Sequence, residues 1–171
     1  ENQKRNIRDK SNQDLSTLRK TIALQLEDKL IICLKKLGLP NVRFKIDFEE
    51  CEATINGVDK VNFLFSANPG FPLAPLAEAA SGGEKSRVLL AIKAIFSSFD
   101  QSNVLIFDEI DSGVSGSISS YVANLLLELS SHRQVFCVTH QPLIAAYADN
   151  HIALKKSVID GSTKSNVIKL R

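Results

Sequence analysis

Three short stretches carry residues whose types and spacing suit phosphate chemistry. Asp108-Glu109 follows four apolar residues, Val104-Leu105-Ile106-Phe107, and leads into Ile110 and Asp111. A carboxylate placed there can hold Mg²⁺ through its water shell, because Mg²⁺ keeps several waters and takes few protein ligands. A second carboxylate beside it can polarise an attacking water in phosphoryl transfer. Ser81-Gly82-Gly83-Glu84 precedes the nearly all-apolar run Val88 to Phe96. At a helix start, free backbone N–H groups and the positive end of the dipole receive an anion, and glycines let it come close. His140 follows a further apolar run, Val135-Phe136-Cys137-Val138. Singly, each stretch has a plain structural alternative: an acidic surface turn, an ordinary helix start, a structural histidine. Asp108-Glu109-Ile110-Asp111 would also suit a helicase box of the Asp-Glu-X-Asp type.

Elements must hold these groups in place. The run into Asp108 reads as a strand covered on both faces, since such a strand is continuously apolar rather than alternating. Val135 to Val138 reads the same way, so Asp108 and His140 are expected at one carboxyl edge, where open α/β sheets bind ligands. Ser81-Gly82-Gly83 is expected to open a buried helix, and Ser117 to Ser130 a second helix with Ile118, Val122, Leu125, Leu126 and Leu129 on its apolar face. A short helix over Leu143 to Ala148 follows, and His151 to Lys155 with Asn166 to Leu170 forms a terminal hairpin around Asp160-Gly161-Ser162. Strand and helix alternate from Gly82 onward, so this part is α/β.

Upstream, Ser11-Asn12-Gln13-Asp14 has the spacing of a capping box. Leu15, Leu18, Ile22, Leu26, Leu30, Leu34 and Leu37 then recur every three or four residues, the stripe of an amphipathic helix ended by Gly38 and Pro40. It suits an ordinary surface helix or the returning end of a coiled-coil arm equally. Val42, Phe44, Ile46 and Phe48 alternate with polar residues, which signals a strand with one wet face. Cys51 to Ile55 and Val61 to Phe65 continue a small antiparallel sheet, turning through Asn56-Gly57. Asn68 to Pro75, with three prolines, is expected as loop.

The 171 residues suffice for a real core, and 44% hydrophobic with 23% charged residues is ordinary for a globular chain. A net charge of +2 gives no global drive towards nucleic acid or membrane. Three scattered cysteines read as reduced thiols. No apolar run approaches the roughly 18 residues that span a bilayer, so no membrane partner is expected. A start at Glu1 and the lack of any Met point to a piece of a longer product.

Together the three stretches are more specific than any one. Ser-Gly-Gly-Glu, helix, apolar strand with Asp-Glu, helix, strand and Thr-His is the order of the carboxyl-terminal lobe of an ABC-type ATPase. Ser81 precedes Asp108 by 27 positions and His140 follows Glu109 by 31. A helicase has no use for the upstream Ser-Gly-Gly helix. Within this class the chain resembles the RecN family, bacterial double-strand-break repair proteins related to SMC proteins. The resemblance rests on Phe65-Ser66-Ala67-Asn68-Pro69-Gly70, Pro75-Leu76-Ala77, Ala80 to Glu84, Phe107 to Gly116, Val138 to Pro142 and Ala145 to Asp149. The Gly113-Val114-Ser115-Gly116 run is the most discriminating piece.

The resemblance implies a fold, the carboxyl-terminal lobe of an SMC-like P-loop ATPase head. It implies residues 1–40 as the end of a coiled-coil arm and 41–171 as head, with small antiparallel strands over 41–75 and the α/β part over 76–171. By the same likeness, Ser81, Gly82, Gly83 and Glu84 meet the γ-phosphate of ATP held by a partner head. Asp108 is the Walker B aspartate for Mg²⁺, Glu109 the catalytic glutamate and His140 the switch histidine. Asp111 to Ser115 becomes the D-loop that communicates across the dimer. Ser115 stands where a D-loop aspartate is usual, and Lys85 is more SMC-like than RecN-like. Arg87 suits either coupling of ATP to arm movement or a surface ion pair. ATP and Mg²⁺ are the implied cofactors. The implied partners are an amino-terminal Walker A lobe of the same protein, a second head in a homodimer, and DNA. The implied location is the bacterial cytoplasm, at the nucleoid. No basic stripe with interleaved aromatics marks a DNA surface.

None of the eight glycines opens a Gly-x-x-x-x-Gly-Lys-Ser/Thr cradle. The chain alone is therefore expected not to hydrolyse ATP. Another SMC-like head, or a non-catalytic dimerisation module, stays open as an alternative.

Overall fold

The computed structural model describes residues 1–97, 102–114, 116–159 and 162–170. It divides into two compact units, Glu1–Asp100 and Gln101–Arg171.

The first unit begins with helix α1, Asn2–Lys36. It starts well before the capping box expected at Ser11, which lies inside the helix. Nothing between Glu1 and Lys10 is Gly or Pro, so no strong helix breaker stands there, although Asn2, Asn6 and Asp9 are weak helix formers. Its end is as expected. Gly38 takes φ +85°, the Leu39 N–H reaches Leu34 O (3.0 Å) and the Gly38 N–H reaches Lys35 O (3.2 Å), the paired bonds of a Schellman motif. Leu30, Leu34 and Leu37 are fully buried, whereas Leu18 and Ile22 of the same stripe are exposed.

Strands β1 (Arg43–Thr54) and β2 (Gly57–Ser66) form an antiparallel hairpin. Cys51 to Thr54 continues β1 past an irregularity in register rather than forming a separate strand. Thr54 pairs with Gly57, so Ile55-Asn56 makes the turn, one position earlier than Asn56-Gly57. The Thr54 hydroxyl sets it, accepting from the Asn56 N–H and donating to Gly57 O, each at 3.1 Å. Within the stretch expected as loop, Ala74–Pro75 forms a two-residue edge strand, β3, against Leu64 and Phe65. An edge tolerates Pro because one side of the strand needs no N–H donor.

Helix α1 is fastened to this hairpin by polar contacts. Asp59 accepts from Ser16 Oγ (2.6 Å) and Arg19 Nη1 (3.2 Å), and Glu27 Oε1 accepts the Ile46 N–H (2.6 Å). The Ser16 bond leads the groups that hold the Asp59 carboxyl below its usual range against the opposing effect of burial. A short helix α2 (Leu76–Ala79) leads to α3 (Gly82–Ile95). Helix α3 is buried on one face, through Val88, Leu90 and Ala91, rather than all round, and Leu89 is exposed.

The second unit holds β4 (Val104–Phe107), α4 (Ser117–Ser130), β5 (Gln134–Cys137) and α5 (Pro142–Ala146), then the hairpin β6 (His151–Ile159) and β7 (Ser162–Leu170). Strands β4 and β5 are parallel, Val104 opposite Gln134 and Phe107 opposite Cys137. Helix α4 buries Val122, Ala123, Leu125, Leu126 and Leu129, while Ile118 is half-buried. The hairpin strands run farther than expected, to Ile159 and from Ser162.

The expected burial of β4 and β5 on both faces also fails. Leu105 and Phe107 are buried, but Val104 is 48% and Ile106 67% exposed, with Phe136 on β5 and Val138 just past its end also exposed. Successive side chains point to opposite faces, and only one face of this two-stranded sheet is covered within the chain. No helix among the described residues is long and apolar enough to cross a membrane.

Candidate functional site

The residues singled out in the sequence fall into both units, Ser81 to Glu84 in the first and Asp108, Glu109 and His140 in the second.

In the first unit, Ser81 is the N-cap of α3 and both halves of a capping box are formed. The Ser81 side chain accepts the Glu84 N–H (3.4 Å), and Glu84 Oε2 accepts the Ser81 N–H (2.7 Å). Glu84 thus holds the helix start in place. Ser81 and Gly82 are exposed and Gly83 is buried. The first N–H groups of a helix have no partner within it, so an anion can meet this end at the exposed Ser81-Gly82 step. Arg87, one turn on, is 7% exposed and so is not a surface residue; burial lowers its pKa, with Glu84 opposing.

In the second unit, β4 and β5 end at the same edge, and the Val138 N–H continues the ladder to Phe107 O (2.9 Å). Asp108 and Glu109 follow β4 directly and are exposed. Asp108 Oδ1 accepts the Glu109 N–H at 2.9 Å. Glu109 has φ +55°, the sole described non-glycine residue with positive φ. A non-glycine residue held in the left-handed region costs about 1–3 kcal/mol, and such strain collects at functional sites. Gly113 (φ +70°) and Gly116 (φ +55°, ψ −123°) complete a tight turn into α4 that a side chain would resist.

His140 has a largely exposed ring, 74% by side chain. Its backbone is not free to drift. Asp111, 3% exposed, uses Oδ2 to accept from Thr139 Oγ1 (2.5 Å) and the His140 N–H (2.8 Å), and His140 Nδ1 lies 3.1 Å from the same oxygen. Thr139 Oγ1 in turn accepts the Gln141 N–H (3.0 Å), and Gln141 Nε2 donates to Val114 O (3.1 Å). Burial alone would raise the Asp111 carboxyl. The Thr139 hydroxyl, the His140 N–H and the imidazole outweigh it and hold the group below its ordinary value. The loop after β4 and the loop after β5 are thereby laced into one edge. Asp111 in this capacity was missed from sequence: three acids in four residues look alike until one is buried. Ser115 lies outside the described residues.

No family model matches the chain. Curated relatives do. The DNA repair protein RecN of Halalkalibacterium halodurans is 39% identical over 162 residues, 92% of this chain and 29% of the relative. RecN of Synechocystis sp. is 46% identical over 147 residues, 85% of this chain and 25% of the relative. The chain therefore spans between a quarter and a third of the length of these relatives, in their carboxyl-terminal part. Among solved structures, the Smc head domain with a coiled coil and joint from Pyrococcus yayanosii superposes with TM-score 0.60 at 26% identity, over 90% of this chain and 28% of that one. The Smc head domain of Pyrococcus furiosus, solved with an extended coiled coil and bound to the C-terminal domain of ScpA, gives TM-score 0.59 at 24% identity, over 96% and 39%. The mixed helix-and-strand architecture, with its small antiparallel sheet and long first helix, is that of the carboxyl-terminal lobe of an SMC-like head. On sequence and fold together, the chain is similar over most of its length to the carboxyl-terminal part of RecN proteins and has the fold of an SMC-like head lobe.

Proposed function

We propose that this chain is the carboxyl-terminal lobe of a RecN-type ATPase head, which hydrolyses ATP between two facing heads in the repair of DNA double-strand breaks. Residues 1–40 are the end of the arm, and 41–171 the head lobe. The observation that carries the reading is the edge of β4–β5. A strained Glu109 beside Asp108, and an exposed His140 tied to the next loop, stand together in a chain 39–46% identical to RecN proteins.

The residues fit the cofactors that the reading requires. Asp108 offers a hard carboxylate oxygen at an exposed strand end, the donor that Mg²⁺ takes while keeping its waters. Bound Mg²⁺ would supply neutralisation of phosphate charge. Glu109 accepts a proton from the attacking water, and its left-handed backbone sets it apart from the strand that it follows. His140 faces the γ-phosphate. Ser81 and the N–H groups that open α3 receive the γ-phosphate held by the opposite head. The phosphate cradle comes from the amino-terminal Walker A lobe, since no stretch here has its pattern. DNA is the partner implied by the RecN likeness.

Glu109→Gln in the full-length protein tests the assignment. Turnover should fall by about 10²–10⁴-fold, the usual contribution of a general base, while ATP still draws heads into dimers. Unchanged turnover, or turnover by the isolated chain, overturns the reading.

A further inference from the structure

We infer that Asp111 is the positioning residue of His140, an inference that rests on the reading of His140 as the group facing the γ-phosphate. The geometry is specific. One buried carboxylate oxygen gathers the hydroxyl of Thr139, the backbone N–H of His140 and the Nδ1 of its ring. The last contact sets the Nδ1 side of the imidazole against the buried carboxylate. An exposed ring on a loop would otherwise sample several rotamers, and each lost rotamer costs entropy at the moment of reaction. Here that ordering is built in before nucleotide arrives. The arrangement is the one used for catalytic and metal-bound histidines, where a carboxylate behind one ring nitrogen sets the orientation and tautomer of the other.

The placement also makes the contact respond to the loop after β4. Asp111 is two residues past Glu109, and Val114 of the same turn accepts from Gln141 beside His140. A shift of this turn moves the proton acceptor and the phosphate-facing imidazole together. The resemblance places Asp111 in the loop that communicates across the dimer; its contacts with Thr139 and His140 give it a role within the chain as well.

The test uses the full-length protein and four variants: His140→Ala, Asp111→Ala, Asp111→Asn and the double variant Asp111→Ala/His140→Ala. Asp111→Ala should lower kcat by about 10- to 100-fold, the usual effect of losing the carboxylate behind a functional histidine, with KM for ATP within about twofold. Asp111→Asn should recover most of the loss, because the amide oxygen can still accept from the Thr139 hydroxyl and the His140 N–H. The double variant should be no slower than His140→Ala, since a residue that acts through another has nothing left to act on. Three results overturn the inference: an unchanged kcat in Asp111→Ala, a double variant slower than His140→Ala by the full Asp111 factor, or normal turnover in His140→Ala. The last also removes His140 from the proposed mechanism, whereas the first two leave it standing. Should Asp111→Ala fail to fold, Thr139→Val carries the same cycle. It removes one of the two hydrogen-bond donors to Asp111, and its effect on kcat should likewise vanish in the His140→Ala background.

Discussion

Cys137 reports the electrostatics of the candidate site without taking part in it. It closes β5 opposite Phe107, and its thiol is pushed up to about 11, first by burial and then by the Asp111 and Asp108 carboxylates. At pH 7 roughly one such thiol in 10⁴ is ionised, against a few per cent for an ordinary cysteine, and only the thiolate is a good nucleophile. Alkylation of Cys137 by iodoacetamide at pH 7 should be at least about 100-fold slower in the folded chain than in urea, read by mass spectrometry of the labelled peptide. Labelling at the unfolded rate would mean that the thiol is neither shielded at the end of β5 nor close to the two carboxylates. The identities of Asp108, Glu109 and His140 as chemical candidates were legible in sequence, because strand-end position and residue type suffice to nominate them. Their division of labour with Asp111 was not. It depends on which carboxylate is buried, and burial follows from the fold of two loops 28 residues apart in sequence.

At the scale of elements, the start of α3 was legible because its determinants are local. Ser81-x-x-Glu84 contains both partners of the capping box, and both bonds form. Ser81→Ala removes the acceptor for the Glu84 N–H and should cost about 1 kcal/mol of stability, measured by urea unfolding with the slope unchanged. A loss near zero would mean that the helix start is held by something other than its cap. The same local logic misled at Ser11-x-x-Asp14, which has the spacing but stands mid-helix. A capping pattern ends a helix only where the residues before it break it, and Glu1 to Lys10 contains neither Gly nor Pro. The β1–β2 turn slipped by one residue for a comparable reason. The Asn56-Gly57 pair announced a turn, but the Thr54 hydroxyl, bonded on both sides of it, fixed the register.

At the scale of the molecule, the misread face of β4–β5 is the most informative difference. Continuous apolar sequence reports that both faces are to be covered, and says nothing about which chain segment supplies the cover. Within this chain Leu105 and Phe107 are covered, while Val104, Ile106, Phe136 and Val138 form one exposed apolar face, with Ile106 directly opposite Phe136. Exposed contiguous apolar faces mark association surfaces. In the proposed head, the amino-terminal Walker A lobe covers it, which also brings the phosphate cradle to the edge that carries Asp108 and Glu109. Ile106→Lys separates this role from a role in folding. Ile106 is 67% exposed, so the isolated chain should change stability by no more than about 0.5 kcal/mol. In the complete head, a charge forced into the covered face costs several kcal/mol unless it is paired. The full-length variant should therefore melt well below the parent and lose ATP binding, while the isolated variant chain melts with its own parent. Equal melting of the full-length pair would show that this face stays open in the assembled head, and that the lobe bearing the cradle docks elsewhere.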